Sequence, residues 1–432
     1  MKKYGLIIAT AVLFSITSNA QDNAKTVFEF TLEDCIGYAL DKNYSRQSLI
    51  LSEESNQVSY QQSKDSRLPS VNASVSENFT NSKDDSSMGG SASISANMTL
   101  YQGGYINNTI EQSRLQMEQA THKTTQYENE LKINILQAFL SVLGNDELLK
   151  FQYSVAEASE EQLKQGEELF KAGNMIESDY LLLDAQYASD RNNIVDTEIT
   201  RDNNILTLKN LLSMDPENEL RIIHPDTSII ENIIALPSKQ EVTERSLNYL
   251  PDMKISQYNV DIAGVSVDLA RADYYPTISL GASIGTGHTD FSKFGTQLSD
   301  RLNEQVGVTV SIPIFNKNRT KSNVTKSRIA LQQAELDQKQ TELTIRQNIT
   351  QEYQNVVSAY NKYNVTDIKQ KAYQKTFDAY RVQFNVGSIT AVDLLQQQNN
   401  YISSLNDYIQ SKYNFILLRK VLDVYMGEDI TI

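Results

Sequence analysis

"SVNASVSENFT", residues 70–80, follows directly on Pro69. In an extended chain Val71, Ala73, Val75 and Phe79 lie on one side, and Asn72, Ser74, Ser76, Asn78 and Thr80 on the other, because strand side chains alternate. The pattern returns three times. In "SASISANMTLY" (91–101), Ala92, Ile94, Ala96, Met98 and Leu100 oppose serines, Asn97 and Thr99. In "TISLGASIGTG" (277–287), Ile278, Leu280, Ala282 and Ile284 oppose Thr277, Ser279, Gly281 and Ser283. "EQVGVTVSIPI" (304–314) aligns Val306, Val308, Val310, Ile312 and Ile314. Each run has about eleven residues, the length a tilted strand needs to cross hydrocarbon. A half-buried soluble sheet alternates in the same way. Strand length, and the small polar residues on the second face, favour a barrel with lipid outside and water inside. The polar segments 81–90 and 288–303 read as hairpin loops.

The start of the chain points the same way. "MKKYGLIIATAVLFSITSNA" has Lys2 and Lys3 before an apolar stretch, Leu6 to Ile16, too short to span a bilayer. Ser18-Asn19-Ala20 follows as a small-x-small cleavage site, so residues 1–20 read as a bacterial export signal. Its removal would take the formal charge from −15 to −17. An acidic exported chain is a poor nucleic-acid binder. Cys35, the only cysteine, excludes an internal disulfide and a thiolate cluster; it reads as a core residue. Beyond the signal no run of eighteen apolar residues occurs. A membrane crossing must therefore use strands in a closed barrel, since lipid leaves open backbone groups unsatisfied.

The hairpins belong to a tandem duplication. Pro276 lies 207 positions after Pro69, as Pro251 does after Tyr44. Past the hairpins the offset becomes 214, pairing Tyr101 with Phe315, Gly173 with Gly387 and Asp179 with Asp393. The predicted division is a first repeat over 21–215, a connecting collar over 216–238 and a second repeat over 239–432. From about 105 to 171 and 319 to 385 there is no proline, and only Gly144 and Gly166 interrupt the first stretch. Apolar or small residues recur there at spacings of four and three: Leu131, Ile135, Ala138, Val142 and Leu149, then Ile345, Ile349, Val356 and Ala359. These are long helices with a coiled-coil seam. Each ends at a glycine, Gly173 or Gly387, the natural left-handed stop before an antiparallel return helix. The return helices are shorter, and the helices before Pro69 and Pro276 would fill the remainder, stacked end to end. The fold class is thus mainly α: a long antiparallel coiled-coil α-barrel with a membrane β-barrel portion. Four strands cannot enclose a water-filled lumen, and two chains would give eight, whose interior is normally filled by side chains. A pore therefore argues for at least three chains, which would supply twelve.

With this arrangement the chain resembles the TolC-like outer-membrane efflux proteins across nearly all of both repeats. The residues that carry the resemblance are Pro69 and Pro276 before the strands, "LYQGG" (100–104) with Gly103 and Gly104, "SIPIFNKNR" (311–319) with Pro313, and the two glycine-to-aspartate tip turns. The resemblance implies a homotrimer in the bacterial outer membrane, with most of the chain in the periplasm. Its tip would meet a periplasmic adaptor and a proton-driven or ATP-driven inner-membrane pump. It also implies that Asp393 forms a ring at the periplasmic constriction, with Asp179 a weaker counterpart. The best-studied member has a second aspartate where this chain has Gln396. Its closing arginine and tyrosine correspond to Ile389 and Phe384, so closure here is expected from apolar contact among Met175, Phe384 and Ile389. A plain helix-start carboxylate is the alternative role for both aspartates.

No catalytic constellation emerges, and no cofactor or metal is expected. His122, His224 and His288 are scattered without metal-ligand spacing. The glycines of "LGASIGTG" lie within a strand pattern and open no helix, which argues against a phosphate loop. The expected function is a passive exit duct served by a pump. Protein secretion through the same duct is the near alternative, and a non-conducting trimeric surface fibre the distant one.

Overall fold

The computed structural model describes residues 27–81, 86–225, 236–289 and 294–430. The expected export signal and the middle of the expected collar lie outside these residues. The first half contains β1 (Val27–Phe30), α1 (Leu32–Lys42), α2 (Tyr44–Asp65), β2 (Ser70–Asn81), β3 (Ser86–Gln102), α3 (Tyr105–Lys171) and α4 (Glu177–Leu212). After β4 (Glu219–Ile222) come α5 (Lys239–Tyr249), α6 (Pro251–Ala272), β5 (Thr277–His288), α7 (Phe294–Asp300), β6 (Asn303–Ser311), α8 (Arg319–Asn385) and α9 (Ala391–Tyr425).

The two halves repeat in length as well as in order. Helices α1 and α5 have 11 residues each, α2 and α6 have 22, and α3 and α8 have 67. At 1.5 Å per residue the long helices extend roughly 100 Å. Their seam is buried: Ile135, Val142, Ile349 and Val356 are almost wholly inaccessible. Helix α3 packs on both α2 and α4, and α8 on both α6 and α9, with α6 also touching α3. The end-to-end junction of α2 and α4 is held by the amide of Asn43, which donates to the carbonyl of Leu211 at 2.9 Å. Tyr127 Oη in turn donates to Asn43 Oδ1 at 3.1 Å. Around this level lies the largest core, in which α1, the β-ribbon and α3 bury Leu32, Cys35, Ile135, Leu136 and Leu220. Strand β1 pairs in parallel with β4 there. Burial pushes the Cys35 thiol up to about 12, so it is an inert core side chain.

The remaining strands form one sheet in the order β2-β3-β5-β6, antiparallel throughout. Register aligns the faces across all four. Val71, Ala96, Ala282 and Val306 make one aliphatic row, and Asn72, Ser95, Ser283 and Gln305 the adjacent polar row. Serine hydroxyls pair on the polar face, Ser74 with Ser93 and Ser76 with Ser91, each at 2.9 Å.

Four expectations about the strands are corrected. The segment expected to be a loop over 81–90 is already strand from Ser86, so β3 begins five residues before the expected 91. The alternation breaks at Leu100, where a bulge lets Tyr101 rather than Leu100 pair with Ile278. β6 stops at Ser311, not at residue 314. Pro313 has no N–H to give to a ladder, so Ile312 and Ile314 leave the paired region. Finally, the segment expected to be a plain loop over 288–303 contains the short helix α7. Among the described residues no helix is long and apolar enough to cross a membrane.

Candidate functional site: the helical tips and the strand-to-helix crossings

At the tips the chain reverses twice by the same device. Gly173 and Gly387 have φ of 75° and 73°, a conformation open to glycine at little cost. Beyond them, Asn174 N–H donates to Leu169 C=O at 2.8 Å and Ser388 N–H to Gln383 C=O at 3.0 Å. These are Schellman closures of α3 and α8. The following helices start differently. Thr390 caps α9, with its hydroxyl accepting from the N–H of Asp393 and the Asp393 carboxylate accepting from Thr390 N–H and Oγ1 at 3.2 and 2.6 Å. These donors, the Thr390 hydroxyl foremost, hold the Asp393 carboxyl below its ordinary range. Asp179 occupies the equivalent third position of α4. Ile176 stands where Thr390 does, so no side-chain cap forms there.

Behind the turns a small apolar core joins the two hairpins. Leu183 from α4 is buried with Phe377, Phe384, Leu394 and Leu395, and Met175 and Ile389 pack against this group while partly exposed. Phe384 is only 4% accessible. Its ring therefore fills the tip core of its own chain, and of the three residues expected to close the tip Met175 and Ile389 are the two that retain surface. Farther from the turns, Asp190 of α4 is buried beside Ser159 of α3 and Gln398 of α9. Its carboxylate accepts from Ser159 Oγ at 2.5 Å, Gln398 Nε2 at 3.1 Å and Gln186 Nε2 at 2.9 Å. No sequence signal singled this group out, because α4 and α9 meet only in the folded chain.

The other end of the long helices is set by four left-handed residues. Gly103 and Gly104 have φ of 58° and 83° between β3 and α3. A Cβ on Gly103 would come within 2.6 Å of the Ala272 carbonyl oxygen and 2.7 Å of Tyr275 Cβ, so this residue is required sterically as well. Lys317 and Asn318, 214 positions later, adopt the same pair of conformations with φ of 57° and 62°. Sequence reasoning missed them because neither is glycine; the offset itself was the available signal, and asparagine tolerates this region. Pro69 and Pro276 each stand one residue before a first strand.

No group of histidine, cysteine or carboxylate side chains suited to hold a metal occurs among the described residues. The chain matches the outer membrane efflux protein family over residues 36–213 and 242–428, one stretch in each half. It belongs to that family. As an outer membrane efflux protein it is an outer-membrane component, and the relatives compared are named for channels, efflux and secretion. It is 23% identical to outer membrane protein TolC of Escherichia coli over 365 residues, covering 81% of this chain and 72% of the relative. It is 22% identical to alkaline protease secretion protein AprF of Pseudomonas aeruginosa over 312 residues, covering 69% and 61%. Its fold is similar to that of the Campylobacter jejuni CmeC outer membrane channel, with a TM-score of 0.77 at 15% identity, covering 92% of this chain and 85% of that one.

Proposed function

We propose that three copies of this chain form a continuous exit duct, with a twelve-stranded barrel in the outer membrane and a helical tube in the periplasm. The observation that carries this reading is the sheet: four strands, one face that is aliphatic except for Glu77, Thr286, His288 and Glu304 toward the hairpin end, and β2 and β6 left as open edges. An open edge in hydrocarbon is untenable, and three sheets joined β6 to β2 remove every edge. The sheet passes directly into helices roughly 100 Å long, so the polar face would line a tube continuous with their polar surfaces. Transport energy comes from an inner-membrane pump acting through a periplasmic adaptor at the tips. We favour small-molecule efflux. The similarity to AprF supports protein secretion as a second reading, and a deletion strain separates them by drug susceptibility against loss of a secreted protein.

At the tip, three Asp393 carboxylates would converge on the axis. The Thr390 hydrogen bonds favour their ionised form and oppose the mutual repulsion of a ring. Met175 and Ile389 would supply an apolar closure, Phe384 supporting it from the core. In planar bilayers Asp393→Asn should reduce cation selectivity, and Ile389→Gly should raise resting conductance. Selectivity unchanged in the first variant would leave Asp393 as a helix cap alone; conductance unchanged in the second would remove the apolar closure.

A further inference from the structure

We propose that α7, with the two residues that follow it, is an interfacial element: it lies against the outer, lipid-facing wall of the barrel, not across its mouth, and seats Phe294 and Leu302 in the headgroup layer of the membrane. The inference rests on the reading that the aliphatic face of the sheet meets lipid.

The face is fixed by register. β5 runs without irregularity from Ser279 to His288 against β3, so Leu280, Ala282, Ile284, Thr286 and His288 share one side. Glu77, Gly90 and His288 form one row across three strands on that same side. Glu77 Oε2 reaches over the glycine to His288 Nε2 at 2.9 Å. A Cβ on Gly90 would sit 2.2 Å from that Glu77 oxygen, which shows that all three side-chain directions coincide.

Helix α7 docks on this side. The Thr286 hydroxyl donates to the carbonyl of Leu298. The Phe294 ring meets His288 edge-on at 4.9 Å, and Gln297 Oε1 accepts from the N–H of Thr289 at 2.9 Å. His288 is thereby buried to 7%. An ionisable group facing lipid is costly, and the helix covers the histidine, while the Glu77 side chain stays 44% accessible.

Height decides what α7 touches. Thr286 and His288 lie two and four residues beyond Ile284, the last aliphatic residue of β5, or about 7 and 13 Å along the strand at 3.3 Å per residue. With a tilt of about 45° this is roughly 5–9 Å of rise, comparable to one headgroup layer. Phe294 is 41% and Leu302 56% accessible, with Gln297, Ser299, Asp300 and Arg301 between them. Apolar anchors among polar and charged residues suit the boundary of acyl chains and headgroups. The surface is continuous with the aliphatic rows below, which selects lipid over an extracellular protein as its occupant.

The sequence contains no tryptophan, so single reporters can be placed without removing others. Phe294→Trp and Leu302→Trp would be compared with Val308→Trp on the aliphatic face and Ser95→Trp on the polar face. The mature full-length chain is reconstituted in phosphatidylcholine vesicles containing lipid brominated near the top of its acyl chains for the α7 reporters, or deep along them for Val308→Trp. Ser95→Trp is measured in both, and acrylamide serves as the aqueous quencher. The expected result is brominated-lipid quenching of both α7 reporters at least twofold stronger than that of Ser95→Trp. If Val308→Trp is quenched by lipid while both α7 reporters respond only to acrylamide, α7 is not interfacial and the barrel face stands. If Val308→Trp also escapes the brominated lipid, the lipid-face reading and this inference fall together.

Discussion

Asp190 accepts hydrogen bonds from one hydroxyl and two amides, and no basic side chain is among these partners. Burial is the larger influence and raises its carboxyl above the ordinary range, while the hydrogen bonds pull it down. The folded chain therefore binds this proton more tightly than the unfolded chain. Stability conferred at low pH is lost as pH rises from the ordinary carboxylate range through the raised value, and the effect is flat above it. Asp190→Asn should remove that part of the slope in unfolding midpoints measured against pH. An unchanged slope would show that the carboxylate is not the group responsible. Asp393 has the opposite displacement; its place at a helix start was read from the sequence, while its capping partner Thr390 was not. Asp190 was not legible, since its burial depends on Gln398, 208 positions away. Nor were Lys317 and Asn318, whose backbone conformation is imposed by the strand-to-helix crossing and not by residue type.

Alternation made the four strands and their faces readable, because one period-two pattern assigns a whole strand. Their ends were less readable. The bulge at Leu100 and the end of pairing before Pro313 depend on how neighbouring strands meet, and α7 depends on a docking surface that no local pattern reveals. Val308 lies on the aliphatic row with Leu280 and Met98, and Thr309 on the polar row with Ser279 and Thr99. Val308→Arg should cost about 2–4 kcal/mol near the bilayer midplane and reduce the assembled protein recovered from outer membranes. Thr309→Arg faces water and should assemble at close to the wild-type yield. Equal yields would mean that the two faces are wrongly assigned.

At the scale of the molecule, duplication was the strongest signal. Tyr44 and Pro251, 207 residues apart, each begin a 22-residue helix, and a fixed offset of 214 relates the two 67-residue helices. Proline-free length and terminal glycines gave the long helices and their turns. The contact of α6 with α3, which binds one repeat to the other, was not evident, because mostly polar helix faces do not name their partners. The open edges of the sheet remain the feature on which the functional reading depends. The most direct test is the mass of the detergent-purified mature protein, measured together with its conductance in planar bilayers. The account predicts a species of three chains forming one conducting pore. A well-folded, non-conducting monomer would contradict it.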